Sequence, residues 1–153
     1  MTPNQSAFLD MLAWSEIGHG LLAVSDNGYN VCVGSTPKNP ILFDDYSTHP
    51  MRHDDHTNSN AAGRYQLMGR YYEPYRKQLS LPDFSPSSQD AIALQQIREC
   101  HALPDIESGD LSTAIAKCAH IWASLPGAGY GQHEQLAANL EKAYTDAGGT
   151  CNG

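Results

Sequence analysis

Four stretches of the chain, near 69–79, 86–101, 110–123 and 132–147, repeat apolar residues every three or four positions, and that spacing commits most of the protein to short helices. Ser85-Pro86 and Asp110 are start signals, Pro104 and Pro126 read as breaks, and Gly148-Gly149 is a final stop. A further helix opens the chain. Thr2 can cap it, Pro3 suits the first helical position, and Gln5 completes a capping box three residues after the cap. This helix should run to about Glu16, with Gly18 and Gly20 ending it.

The stretch between these helices is built differently. A turn at Asp26-Asn27-Gly28 leads into Tyr29-Asn30-Val31-Cys32-Val33, whose alternation puts Tyr29, Val31 and Val33 on one face, and Ile41-Leu42-Phe43 is a candidate partner strand. From Ser35 to Asn60 the chain is rich in Pro, Asp, Asn, Ser, Thr and His, which predicts an irregular lobe or long loop. One helix, a small β-rich lobe over about 26–60 and then several helices describe an α+β fold. At 153 residues it should form one domain, residues 1–153, with a substrate cleft between a mostly helical lobe and the β-rich one.

Charge narrows the partners. Nine Lys and Arg face 17 Asp and Glu, and the net charge of −8 repels phosphate backbones and anionic headgroups, so no nucleic acid partner is expected. The opening Met1-Thr2-Pro3-Asn4-Gln5 has neither a basic nor an apolar leader region, and no apolar run is long enough to span a bilayer, so no membrane insertion is expected. Cys32, Cys100, Cys118 and Cys151 are spaced irregularly and read as structural or free thiols, Cys118 on a buried helix face and Cys151 exposed in a Gly-rich tail.

Glu16 is the most informative residue. Turning each residue by about 100° puts Phe8, Leu9, Met11, Leu12 and Ser15 on one side of the first helix, and Glu16 projects between Leu9 and Leu12. A carboxyl group among apolar side chains is disfavoured in its charged form, so its pKa should rise. A Glu kept protonated near neutral pH is what acid-assisted glycosidic cleavage requires, because the departing sugar oxygen must receive a proton.

Several longer blocks carry a resemblance. The runs Ala7-Phe8-Leu9-Asp10-Met11-Leu12-Ala13-Trp14-Ser15-Glu16, Ala62-Gly63-Arg64-Tyr65-Gln66-Leu67, Tyr75-Arg76-Lys77-Gln78-Leu79, Asp83-Phe84-Ser85-Pro86 and Ile121-Trp122-Ala123-Ser124-Leu125-Pro126-Gly127-Ala128-Gly129-Tyr130-Gly131 are similar, in matching order, to the bacteriophage lambda endolysin family. The resemblance implies a lysozyme-like fold and a lytic transglycosylase that breaks the β-1,4 bond between N-acetylmuramic acid and N-acetylglucosamine in peptidoglycan. Its products would carry 1,6-anhydromuramic ends, and the host cell would lyse. Glu16 matches the family's catalytic glutamate. Tyr65, Gln66, Tyr130 and Ser15 are the candidate substrate-binding residues, with Arg64 and Tyr65 also able to brace the cleft.

The resemblance further implies a monomer made in the host cytoplasm and released to the periplasm and cell wall by a separate holin. No cofactor is expected, because one carboxylic acid suffices when the muramyl C6 hydroxyl is the nucleophile. A hydrolytic lysozyme needs a second carboxylate. Asp26, Asp44, Asp45, Asp54 and Asp55 are candidates that spacing does not separate. A wall-binding relative without activity is a further alternative. The run His49-Pro50-Met51-Arg52-His53-Asp54-Asp55-His56 contains metal-ligand residue types without standard ligand spacing, and no metal is assigned to it. Between Ile17 and Asn60 the chain departs most from the family pattern, and Ser35–Pro40 looks like an insertion.

Overall fold

A computed structural model describes residues 1–127 and 137–152. Its helices are α1 (Pro3–Glu16), α2 (His19–Ala23), α3 (Gly69–Gln78), α4 (Pro86–Glu99), α5 (Leu103–Ser108), α6 (Leu111–Cys118) and α7 (Ala137–Asp146). Two compact units emerge, one from Met1–Glu16 and Leu94–Gly153, the other from Ile17–Ala93. Among the described residues no helix is long and apolar enough to cross a membrane.

The first unit is assembled around α1. The capping box forms as expected: the Gln5 backbone N–H donates to Thr2 Oγ1 at 3.1 Å, and the Thr2 N–H donates to Gln5 Oε1 at 3.2 Å. Phe8, Leu9, Met11 and Leu12 are buried, and so are Ala7 and Ala13, so the helix is covered around most of its girth rather than along one stripe. It packs against α7 and α5, and α5 packs on α6. Asp110 caps α6, accepting from the Thr113 N–H at 3.3 Å, and Leu111, Ala114, Ile115 and Cys118 form the buried face. Cys118 therefore lies where its spacing put it, whereas Cys151 is half-buried rather than exposed.

Proline punctuation misleads at one position. Pro104 begins α5 instead of breaking a helix, since the first turn has no use for the donor that proline lacks. Gly109, in the left-handed region at φ 83°, ends it.

The second unit centres on Ala62, Leu67, Tyr72, Phe84 and Ile92, with Phe43, Tyr75, Leu79 and Leu81 packed around them. Gly18 does stop α1, with φ 87°, but the chain re-enters a helix at once as α2, with Gly20 inside it. The expected β-rich lobe needs correction. Among the described residues this region holds isolated antiparallel bridges, Val31 to Leu42, Cys32 to Ala62, Ala62 to Leu67 and Asp54 to Ser59, and no continuous strand. The expected pairing partners do meet: the Cys32 N–H donates to the Ile41 carbonyl at 2.8 Å and the Phe43 N–H to Asn30 at 3.0 Å. Ser35 explains why the ladder stops. Its hydroxyl accepts the Ile41 N–H at 2.8 Å and donates to the Cys32 carbonyl at 2.7 Å, replacing the next backbone rungs.

The histidine run divides. His49 is only 1% exposed, with its ring packed 4.9 Å from Phe84 and 6.1 Å from Tyr72. Its Nδ1 accepts the Met51 N–H at 3.0 Å and its Nε2 lies 2.8 Å from the Leu67 carbonyl, so the neutral ring with hydrogen on Nε2 satisfies both contacts. Burial holds its pKa below the ordinary histidine value. His53 instead sits at the surface, 3.4 Å from Asp55.

Candidate active site

The last turn of α1 presents Ser15 and Glu16. Ser15 is 6% exposed and its Oγ lies 2.7 Å from Oγ of Ser124. Ser124, 9% exposed, sits in the turn that follows α6, between the buried Trp122 and Leu125. Backbone bonds from Trp122 to Cys118 at 3.2 Å and from Leu125 to Trp122 at 3.0 Å shape that turn.

Glu16, the residue after Ser15, is partly buried. Loss of hydration pushes the Glu16 pKa up to about 7, and the Ser124 hydroxyl, which favours the charged form, opposes that rise with a smaller effect. Other carboxylates respond in the opposite sense. Hydrogen bonds hold Asp45, Asp54, Glu73, Asp83 and Asp110 below the ordinary carboxylate range, Asp45 through Ser47 and Asp54 through Thr57. Glu16, in contrast to these, is driven towards its protonated form.

In the second unit, Gly63, Arg64, Tyr65 and Gln66 form a turn that closes the Ala62–Leu67 bridge. Gly63 adopts φ 86°, where the Cβ of any other residue would overlap the Gln89 amide oxygen and the Phe84 ring. Arg64 is buried. Its Nε donates to the Asn27 carbonyl at 3.0 Å, its Nη1 to the Tyr65 hydroxyl at 2.9 Å, and its guanidinium lies over the rings of Tyr29 and Tyr65 at 5.2 and 5.6 Å.

Tyr65 is 5% exposed, and its hydroxyl donates to Asp90 at 2.6 Å. Tyr29 donates to the same carboxylate at 3.0 Å. Gln66, partly buried at φ 53°, donates from Nε2 to the Gly63 carbonyl at 2.8 Å and to Val31 at 3.3 Å. Tyr130 and its neighbouring glycines 129 and 131 lie outside the described residues.

Sequence reasoning missed Gln89, Asp90 and Ser124. Gln89 receives the Arg64 N–H at 2.9 Å and itself donates to the carbonyls of Tyr29 and Phe84, joining three segments of its unit. Nothing local in the sequence marks either α4 residue. Ser124 stands inside a block quoted for the family resemblance, but a lone serine there has no pattern of its own.

The sequence model described as Endolysin matches residues 6–151. The chain belongs to the endolysin family. It is 53% identical to the endolysin of Escherichia phage lambda over 96% of this chain and 92% of that protein, and 47% identical to the endolysin of Escherichia phage P2 over 95% and 93%. Its fold is lysozyme-like: this endolysin superposes on bacteriophage lambda lysozyme complexed with a chitohexasaccharide with a TM-score of 0.91, at 51% identity, covering 99% of this chain and 98% of that one. A second structure of lysozyme from bacteriophage lambda gives 0.87 at 49% identity over the same shares.

Proposed function

We propose that this endolysin is a peptidoglycan lytic transglycosylase with Glu16 as its acid and base. The raised pKa of Glu16 carries the reading: at about 7, much of the group is protonated at neutral pH and can donate, yet it gives up the proton readily. Glu16 protonates the glycosidic oxygen as the bond from muramyl C1 breaks. The C6 hydroxyl oxygen of the same muramyl residue then bonds to C1 and its proton passes to the Glu16 carboxylate, which restores the acid and leaves a 1,6-anhydro end. No water is consumed.

A carbohydrate substrate is supported by the relative that holds a chitohexasaccharide. Gln66 and Tyr130 are the residues we assign to sugar contact. Tyr65 and Ser15 are buried with their hydroxyls engaged inside the protein, which favours supporting roles for both. On the same reading the protein acts as a monomer on the host wall, after a separate holin releases it from the cytoplasm.

Digestion of purified peptidoglycan in water enriched in oxygen-18, followed by mass spectrometry, tests the reaction. The expected fragments have anhydromuramic ends, lighter by one water than hydrolytic products and free of the heavy isotope. Heavy oxygen at the muramic ends with no anhydro species would make the protein a hydrolase and require an aspartate as the second carboxylate.

A further inference from the structure

We propose that the outer face of α3 is a second wall-holding surface, which takes the peptide-bearing, anionic side of a peptidoglycan strand through Arg70, Lys77 and Tyr71. The inference rests on peptidoglycan being the substrate and needs nothing from Glu16.

Helical rotation decides which side of α3 faces out. Tyr72 belongs to the buried cluster of its unit, and Tyr75 and Leu79 pack against that cluster. A turn of about 100° per residue sets Arg70, Pro74 and Lys77 on the opposite side, and all three are exposed. Arg70 and Lys77 are seven residues apart, which is about 10 Å along the helix axis. Pro74 lies between them and has no N–H to give the Arg70 carbonyl, so that acceptor lacks its usual helical donor. Tyr71 stands beside this row, 43% exposed. Arg70 lies over its ring at 4.9 Å and donates from Nη2 to its hydroxyl at 3.2 Å, which holds two long side chains in one geometry before a ligand arrives.

Charge sets this face apart in an acidic protein. Ile17–Ala93 holds six of the nine Lys and Arg against eight acidic residues, while the other unit has three cations and nine acidic residues. α3 alone carries Arg70, Arg76 and Lys77, and its one carboxylate, Glu73, is taken by Arg76 at 2.8 Å. Among the described residues neither Arg70 nor Lys77 has a carboxylate partner. Two free cations are too few to hold a chain of net charge −8 on an anionic membrane, where recognition takes four or more. They suit a wall polymer better. The sugars of peptidoglycan are neutral, but the peptides on its muramyl residues carry free carboxylates. A guanidinium grips a carboxylate with two parallel N–H bonds and an ammonium meets it as a point charge, while the tyrosine ring offers a flat face to a pyranose.

The test compares walls with and without peptides. On sonicated peptide-bearing peptidoglycan, the double variant Arg70→Gln, Lys77→Gln should raise KM about threefold to tenfold with kcat within about twofold, and KM should respond less to added salt, since exposed charge pairs are individually weak and screened. On glycan strands stripped of peptides by an amidase, the double variant and the parent should have the same KM. Tyr71→Ala should raise KM about threefold on both, because the ring serves the sugar. Arg70→Lys keeps the charge but loses the fork and the stack, and should fall between parent and Arg70→Gln. These side chains are exposed, so melting temperatures should stay within about 2 °C of the parent.

An unchanged KM on the intact wall, or an equal loss on stripped strands, overturns the proposal. The two readings fail separately. A parent protein that leaves peptide-bearing peptidoglycan uncut removes the substrate, whereas a parent that cuts it beside a double variant of equal KM removes only the role of α3.

Discussion

Replacing Glu16 with Gln should make the protein more stable, and increasingly so as pH rises. Burial lifts the Glu16 pKa from 4.5 to about 7. In the unfolded chain the group ionises near 4.5, so between these values the unfolded state has released a proton that the folded state retains. Stability therefore falls as pH climbs through this window. Below about 4.5 the group is neutral in both states and costs nothing. Above about 7 it is charged in both, and the folded protein bears the full penalty. At about 1.4 kcal/mol for each tenfold change in ionisation constant, the gap from 4.5 to about 7 corresponds to about 3 kcal/mol. The glutamine side chain of the Glu16→Gln variant keeps the shape and cannot ionise. Urea unfolding of both proteins at pH 4, 6 and 8 reads the difference. The stability gap should open by about 3 kcal/mol between the first and last of these, or roughly 6–12 °C in melting temperature for a chain of this size. A gap that stays constant with pH would show that the Glu16 carboxyl is hydrated in the native state, and the basis for its role as acid would go with it.

Three other perturbations probe the second unit. Tyr65→Phe removes the hydroxyl between Arg64 and Asp90 and should cost about 2 kcal/mol by thermal unfolding; a neutral result would reduce Tyr65 to simple packing. Gly63→Ala forces a Cβ into Gln89 and Phe84 at a left-handed position and should cost about 3 kcal/mol or prevent folding, whereas a variant as stable as the parent would mean the turn relaxes freely. The His49 imidazole should titrate below 6.5 in a proton NMR series; as pH falls the unfolded chain takes up this proton first, so stability is full above 6.5 and is lost as pH falls from 6.5 to the lower native midpoint. A midpoint at or above 6.5 would contradict its buried, neutral state.

Features set by neighbours in the chain are legible from the residues alone. The Thr2 and Gln5 capping box, the start of α4 at Pro86 and the Asp110 cap each need only three or four consecutive positions, and the sequence displays them. The burial of Glu16 is legible too, although its reason differs: α1 is covered around most of its girth, so its last turn is shielded without a single apolar stripe. What sequence hides depends on distant partners. Ser15 and Ser124 are separated by 109 positions, and Tyr65 and Asp90 by 25, so neither pairing leaves a local trace. α2 and α5 escape a reading that treats glycine and proline as punctuation, although both residues are tolerated at a helix beginning. The Val31–Leu42 bridge falls short of a ladder because Ser35 takes over the backbone partners of Cys32 and Ile41, a competition that alternation of apolar residues does not reveal.

The first unit is stitched from opposite ends of the chain. α1 packs against α7, and Asn4 accepts both the Thr150 N–H at 3.1 Å and the Thr150 hydroxyl at 3.0 Å across 146 positions. A ribosome makes α1 well before α7, so the helix bearing Glu16 leaves the exit tunnel before the α7 surface it packs against exists. Its apolar girth must wait, exposed or held by temporary contacts, until α7 has emerged. The second unit is contiguous from Ile17 to Ala93 and has no such delay. Order of manufacture and order of assembly are thus opposed for the helix that carries Glu16: α1 is made before the whole contiguous unit from Ile17 to Ala93, yet it must wait for α7, made after that unit, to reach its native packing.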